Sequence, residues 1–203
     1  MLATPAALPV QPPALFETAR PVAATIALRT APGGRVVARL RDRTQFGSPL
    51  VLGVAARRPG WVGVISPALP NGRLGWARED ALRFTQIRSV IEVDLSLREL
   101  VLERGALVVR RVAVGIGRSA SPTPPGRYVV TDKLEGNRVY GCCILALSGH
   151  QPTRPPGWRG EARLAIHGGA LGAVSAGCVH ASDADLRFLM ARVPLGTPVV
   201  VHD

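Results

Sequence analysis

Aromatic residues make up only 4% of the 203 residues, and of the 25 basic residues all but Lys133 are arginine. Scarce rings and the lack of a basic helix argue against a nucleic-acid partner, whose single strands are held by aromatic stacking along a basic groove. The arginine skew reads more simply as a codon-composition bias. Every apolar run is broken by Gly, Pro or Arg before the roughly 20 residues a membrane helix needs. Residues 1–13 lack both the charged start and the apolar centre of a secretory signal, so residues 1–20 read as a linker or a processed segment. Three cysteines, Cys142, Cys143 and Cys178, cannot all pair within one chain, and adjacent cysteines bridge only in strained geometry. At least one free thiol is therefore expected, and no disulfide framework, with Cys142 and Cys143 as strand-packing thiols. No Cys-x-x-Cys or His-x-x-x-His spacing is present, which leaves little for a zinc site to be built from.

What the chain does hold is 47% hydrophobic residues, enough for a real core, and 22 Gly with 18 Pro in no collagen-like period. Short strands and turns follow from that mixture. The net charge is +11: 11 arginines against 4 acids up to residue 86 leave +7, and 14 basic residues against 10 acids beyond it leave +4. An excess of this size favours a polyanionic neighbour, whether nucleic acid, lipid headgroups or an anionic cell wall, and does not choose among them.

Residues 24–84 alternate β-like runs with the turn signals Pro32-Gly33-Gly34, Arg58-Pro59-Gly60 and Asn71-Gly72, the last a two-residue hairpin signal. A small β-barrel over residues 21–86 is expected, with Trp61 and Trp76 on one side of it. A second unit over residues 87–203 opens where Ile91, Val93, Leu95 and Leu97 alternate with Glu92, Asp94, Ser96 and Arg98, the period-two pattern of a half-buried strand. A hairpin turning at Glu103-Arg104-Gly105 comes next, then the stiff loop Ser121-Pro122-Thr123-Pro124-Pro125-Gly126, suited to wall a cleft. Ser182 begins a single helix with Leu186, Leu189, Met190 and Val193 on one face, halted at Pro194-Leu195-Gly196. Residues 199–201 close the chain as a strand.

Residues 163–166 form an apolar strand that delivers His167 into a glycine loop, and Cys178 follows eleven residues later between Gly177 and Val179. Covalent acyl transfer needs a thiolate, a base for its proton and N–H groups for the oxyanion, and a cysteine with a nearby histidine supplies the first two. The same pair also fits a buried thiol beside a core histidine. Arg127, Tyr128, Tyr140, His150 and Trp158 fall where a groove or a lid over residues 148–158 would lie.

Ile166-His167-Gly168 followed by Ser175-Ala176-Gly177-Cys178-Val179 resembles the signature of bacterial L,D-transpeptidases. The residues 91–96, Gly115-Ile116-Gly117, Pro122 to Tyr128 and Pro194 to Val199 agree with that family in order, so the likeness spans about residues 88–203. Less specifically, the barrel resembles the bacterial Src-homology-three type. The resemblance implies a mainly β chain: a small amino-terminal barrel, then a β-sandwich with one short helix after the nucleophile. It implies that Cys178 is the nucleophile and His167 its base, that Gly168 and Ser175 frame the site, and that the Gly177 and Cys178 amides bind the oxyanion. His180 and Tyr128 are the candidate substrate-side residues. The implied reaction is L,D-transpeptidation of peptidoglycan stem peptides through a thioester, outside the cytoplasm, with neither metal nor organic cofactor. Water as acceptor would make it an L,D-carboxypeptidase. The loop between His167 and Ser175 has seven residues, Ala176 stands where His or Lys is frequent and His180 where Arg is common. These departures favour a competing class, a degraded fold that only binds the wall. Oligomeric state is not legible.

Overall fold

The computed structural model describes residues 15–153 and 162–203. The first sheet holds β1 (Phe16–Pro21), β2 (Thr25–Arg29), β3 (Val36–Arg41), β4 (Leu52–Arg58), β5 (Trp61–Ile65), β6 (Gly75–Arg78) and β7 (Leu82–Ile87). They are ordered β3-β2-β6-β5-β4-β1-β7. Strand β1 occupies part of the segment expected to be a linker. It pairs with β7 over six residues and buries Ala19 completely, contacts too distant in sequence to be anticipated locally. The remainder of that segment, residues 1–14, lies outside the described residues.

The second sheet holds β8 (Ser89–Asp94), β9 (Glu99–Arg104), β10 (Leu107–Ala113), β11 (Gly115–Gly117), β12 (Gly126–Asn137), β13 (Gly141–His150), β14 (Arg163–Gly168), β15 (Gly172–Ser175), β16 (Val179–Ala181) and β17 (Pro198–His202). Its order is β10-β9-β8-β17-β12-β13-β14-β16-β11-β15. Strand β12 joins two halves: its residues 126–129 pair with β17, and from Val130 onward it pairs with β13 across a register shift. The bend lets both halves face one core, where Ile91, Val93 and Leu100 meet Leu145, Ile166 and Val179. The chain is mainly β with one α-helix among the described residues, α1 (Asp183–Arg192), as expected. Ser182 caps it by accepting the Asp185 N–H at 3.1 Å, and Leu186 and Leu189 are fully buried in the same core.

Two local expectations change. Strand β8 stops at Asp94, because its Oδ1 takes the Leu97 N–H at 2.8 Å and turns the chain, so Leu97 is exposed. Asn71-Gly72 sits inside the longer connection from β5 to β6 instead of forming a two-residue hairpin. The Asn71 side chain is taken up elsewhere: it exchanges two hydrogen bonds with the backbone of His150, at 2.7 and 2.8 Å, and so ties the first sheet to the second. His150 Nε2 reaches Pro67 O at 2.7 Å in the same seam, which places His150 between the sheets. Thr44 hydroxyl donates to the fully buried Asp132 carboxylate across the seam.

Candidate active site

Strands β14 and β16 are parallel, with Ile166 opposite Val179 and His167 opposite His180. Ile166 and Val179 point into the core. Side chains alternate along a strand, so His167 and His180 share the opposite face, and the parallel pairing brings β14 beside the segment from which Cys178 leads into β16, one residue before Val179.

His167 is buried, and its Nδ1 donates to the carbonyl of Gly168 at 2.8 Å. A carbonyl only accepts, so the neutral ring carries its proton on Nδ1 and its lone pair on Nε2. Gly168 in turn donates its N–H to Tyr140 O at 2.8 Å. A Cβ on Gly168 would stand 2.7 Å from Gly141 Cα, so only glycine lets the two backbones close here. Tyr140 packs edge-on against His167 at 4.9 Å, and His180 lies tilted beside it at 4.7 Å. His180 Nδ1 donates to Ala170 O at 3.0 Å and so holds the short loop after His167. Burial lowers the His167 pKa below its ordinary 6.5; the Gly168 bond opposes this and the charge of His180 adds to it.

Cys178 is partly buried, with its thiol facing the backbone of β14 and Arg163 O 4.0 Å away. Burial raises its pKa above the ordinary 9.0. The pair at rest is a thiol and a neutral imidazole. Ser175 Oγ donates to Cys178 O at 2.6 Å and accepts the Gly177 N–H at 3.0 Å. The Gly177 amide is thus spent inside the turn, a correction to its assignment as an oxyanion donor. Gly177 has φ +118°, and a Cβ there would overlap Gln151. It frames the turn by leaving that space open.

Gln151 is the residue the sequence reading passed over. Its buried side-chain amide lies 3.0 Å from Ala176 O and 2.9 Å from Pro122 O. Ser121 Oγ lies 2.9 Å from the same Ala176 carbonyl. The proline-rich loop is therefore bolted to the turn that carries Cys178. No local pattern marks a glutamine for this role; only the meeting of three loops does.

Tyr128 does not belong at this site. It is 2% exposed, packs in the core of the second sheet, and its hydroxyl donates to Pro124 O at 2.9 Å. The alternation of β12 turns it inward, and burial lifts its pKa to about 12. The structure joins Cys142 and Cys143 in a disulfide, in place of the free strand-packing thiols expected, and leaves Cys178 free. The lid expected over residues 148–158 is not what its first residues form: Ser148 to His150 are the end of β13, with Ser148 buried, while residues 154–158, Trp158 among them, lie outside the described residues. Among the described residues no three His, Cys, Asp or Glu side chains converge as a metal site, and no helix is long and apolar enough to cross a membrane.

The chain resembles solved structures in fold. An L,D-transpeptidase from Mycobacterium smegmatis is 13% identical with a TM-score of 0.50, over 97% of this chain and 100% of that one. One from Mycobacterium tuberculosis is 18% identical with a TM-score of 0.50, over 79% of this chain and 75% of that one. An L,D-transpeptidase from Enterococcus faecium is 21% identical with a TM-score of 0.44; the match covers 57% of this chain and only 50% of that protein's length. No curated protein matches the chain. A family model described as the L,D-transpeptidase catalytic domain matches residues 88–201, more than half of the chain. The chain thus belongs to the L,D-transpeptidase catalytic domain family.

Proposed function

We propose that the chain transfers acyl groups between peptidoglycan stem peptides through a thioester on Cys178, outside the cytoplasm, forming crosslinks between third residues. The observation that carries this reading is His167, held by the Gly168 carbonyl with its lone pair on Nε2, on the strand that pairs with β16, which Cys178 immediately precedes. In this mechanism Nε2 takes the thiol proton as sulfur attacks the carbonyl of the third stem residue. The Cys178 amide binds the oxyanion, a donor of a kind worth about 3 kcal/mol of barrier. His167 then returns the proton to the amine of the departing D-alanine, leaving the thioester. An acceptor amine attacks, gives a proton to His167, and regenerates the thiol; with water the product is a free acid.

The lowered His167 pKa supports the base role, because the ring stays neutral and basic at neutral pH. The raised Cys178 pKa favours the second reading, a wall-binding module with an inert thiol. Intact-mass spectrometry after incubation with a stem tetrapeptide or a carbapenem decides between them. An adduct on wild type that is absent from Cys178→Ala supports the enzyme, and a folded wild type that is never acylated supports the binder.

A further inference from the structure

A second cleft lies between the two sheets, lined from β1, β7, β8, β9 and the end of α1. It has a volume of about 650 Å³, and Arg20, Arg88, Arg104 and Arg192 line it together with Thr18, Thr85, Gln86 and Ser89. Among the described residues no carboxylate lines it. Among the described residues none of these four arginines forms an ion pair, whereas Arg57, Arg110 and Arg111 each do.

Three elements and one junction supply the charges. Arg20 comes from β1, Arg88 from the residue joining β7 to β8, Arg104 from the end of β9 and Arg192 from the last turn of α1. Arg104 stands directly across from Ser89, and the Gly105 N–H closes the corner on Arg88 O at 2.8 Å. Arg83 stands directly across from Arg20 in the β1–β7 ladder, so like charges face one another and continue the cationic row past the cleft. Like charges opposite one another weaken a sheet unless a counter-charge lies between them. The floor is packed: a Cβ on Gly196 would meet Val51 and Thr18 across the seam, so the positions of the two walls are set by the fold. None of the lining residues is an exposed large hydrophobe, which a lipid surface would need.

We propose that this cleft binds a phosphodiester polyanion, with the guanidinium forks bridging successive phosphates from both sheets. Guanidinium presents paired donors matched to phosphate oxygens, and a repeating anion answers a row of cations better than a single charge does. The site is independent of the chemistry at Cys178. A chain that never acylates still tests it.

The test is calorimetric titration of the full chain with inorganic pyrophosphate, citrate and poly(glycerol phosphate). Saturable pyrophosphate binding, tighter than that of citrate and weakening as salt rises past the Debye regime, is expected. Arg20→Gln with Arg104→Gln weakens it about a hundredfold, about tenfold for each lost guanidinium. Both side chains are exposed, so the variant folds, and its Cys178 acylation matches wild type. Retention of poly(glycerol phosphate) by wild type and its loss in the double variant support the polymer. Equal binding of citrate, unchanged affinity in the double variant, or a preference for phosphatidylglycerol vesicles over the polymer would each overturn the proposal.

Discussion

At the scale of single residues, the chemistry is governed by two opposite pKa displacements with one cause. Burial disfavours charge, so the His167 imidazolium and the Cys178 thiolate are both penalised, and the proton must move as the sulfur attacks. His167→Ala is expected to slow acylation at neutral pH by about a hundredfold, the typical worth of a general base. Its residual rate climbs with pH through the raised thiol value, above the ordinary 9.0, in a stopped-flow series with a chromogenic carbapenem. The His167 displacement also sets a stability window. The folded ring binds its proton more weakly than the unfolded ring, so stability is full above pH 6.5 and falls as pH drops from there through the lowered folded value. Denaturant titrations of wild type and His167→Gln give this difference directly: wild type loses stability over that window, and the variant loses less.

At the scale of elements, the turn from Ser175 to Cys178 is held by bonds its own residues and two neighbouring loops provide. Ser175→Ala removes both the acceptor for Gly177 N–H and the donor to Cys178 O. The expected loss is about 1–3 kcal/mol of stability, measured by urea unfolding, because buried polar groups are left unmade. Gln151→Ala takes donors from Ala176 O and Pro122 O without touching the face that carries Cys178. Acylation should slow while the pH profile keeps its shape, which separates a positioning role from a change of base. The cap of α1 is a smaller effect: Ser182→Ala costs about 1 kcal/mol, read as a lower Tm.

At the scale of the whole molecule, the two sheets are joined by polar bonds that only the folded chain brings together. Thr44→Val leaves the fully buried Asp132 carboxylate without its hydroxyl donor, although the Arg163 guanidinium stands 4.0 Å from its other oxygen. A loss of about 1–3 kcal/mol is expected in urea, since a buried acceptor loses its partner. Because the bond crosses the seam, Trp fluorescence, with Trp61 and Trp76 in the first sheet, and far-UV dichroism, which reads both sheets, should shift together.

Period-two alternation placed β8, the Ser182 cap and the apolar face placed α1, and the order of His167, Gly168, Ser175 and Cys178 carried the family resemblance, because each signal is local and survives in a linear string. Tertiary structure alone decided that the Gly177 amide is spent on Ser175, that Tyr128 turns into the core, that Gln151 braces the Cys178 turn and that Asn71 reaches His150. The anion cleft belongs to the same class, since Arg20 and Arg192 are separated by nearly the whole chain and meet only where two sheets close. The physical reason is common to all of these: a hydrogen bond or a shared cleft depends on which backbones cross in space. Sequence spacing encodes a face of a strand or helix, but not which loop will be lying against it.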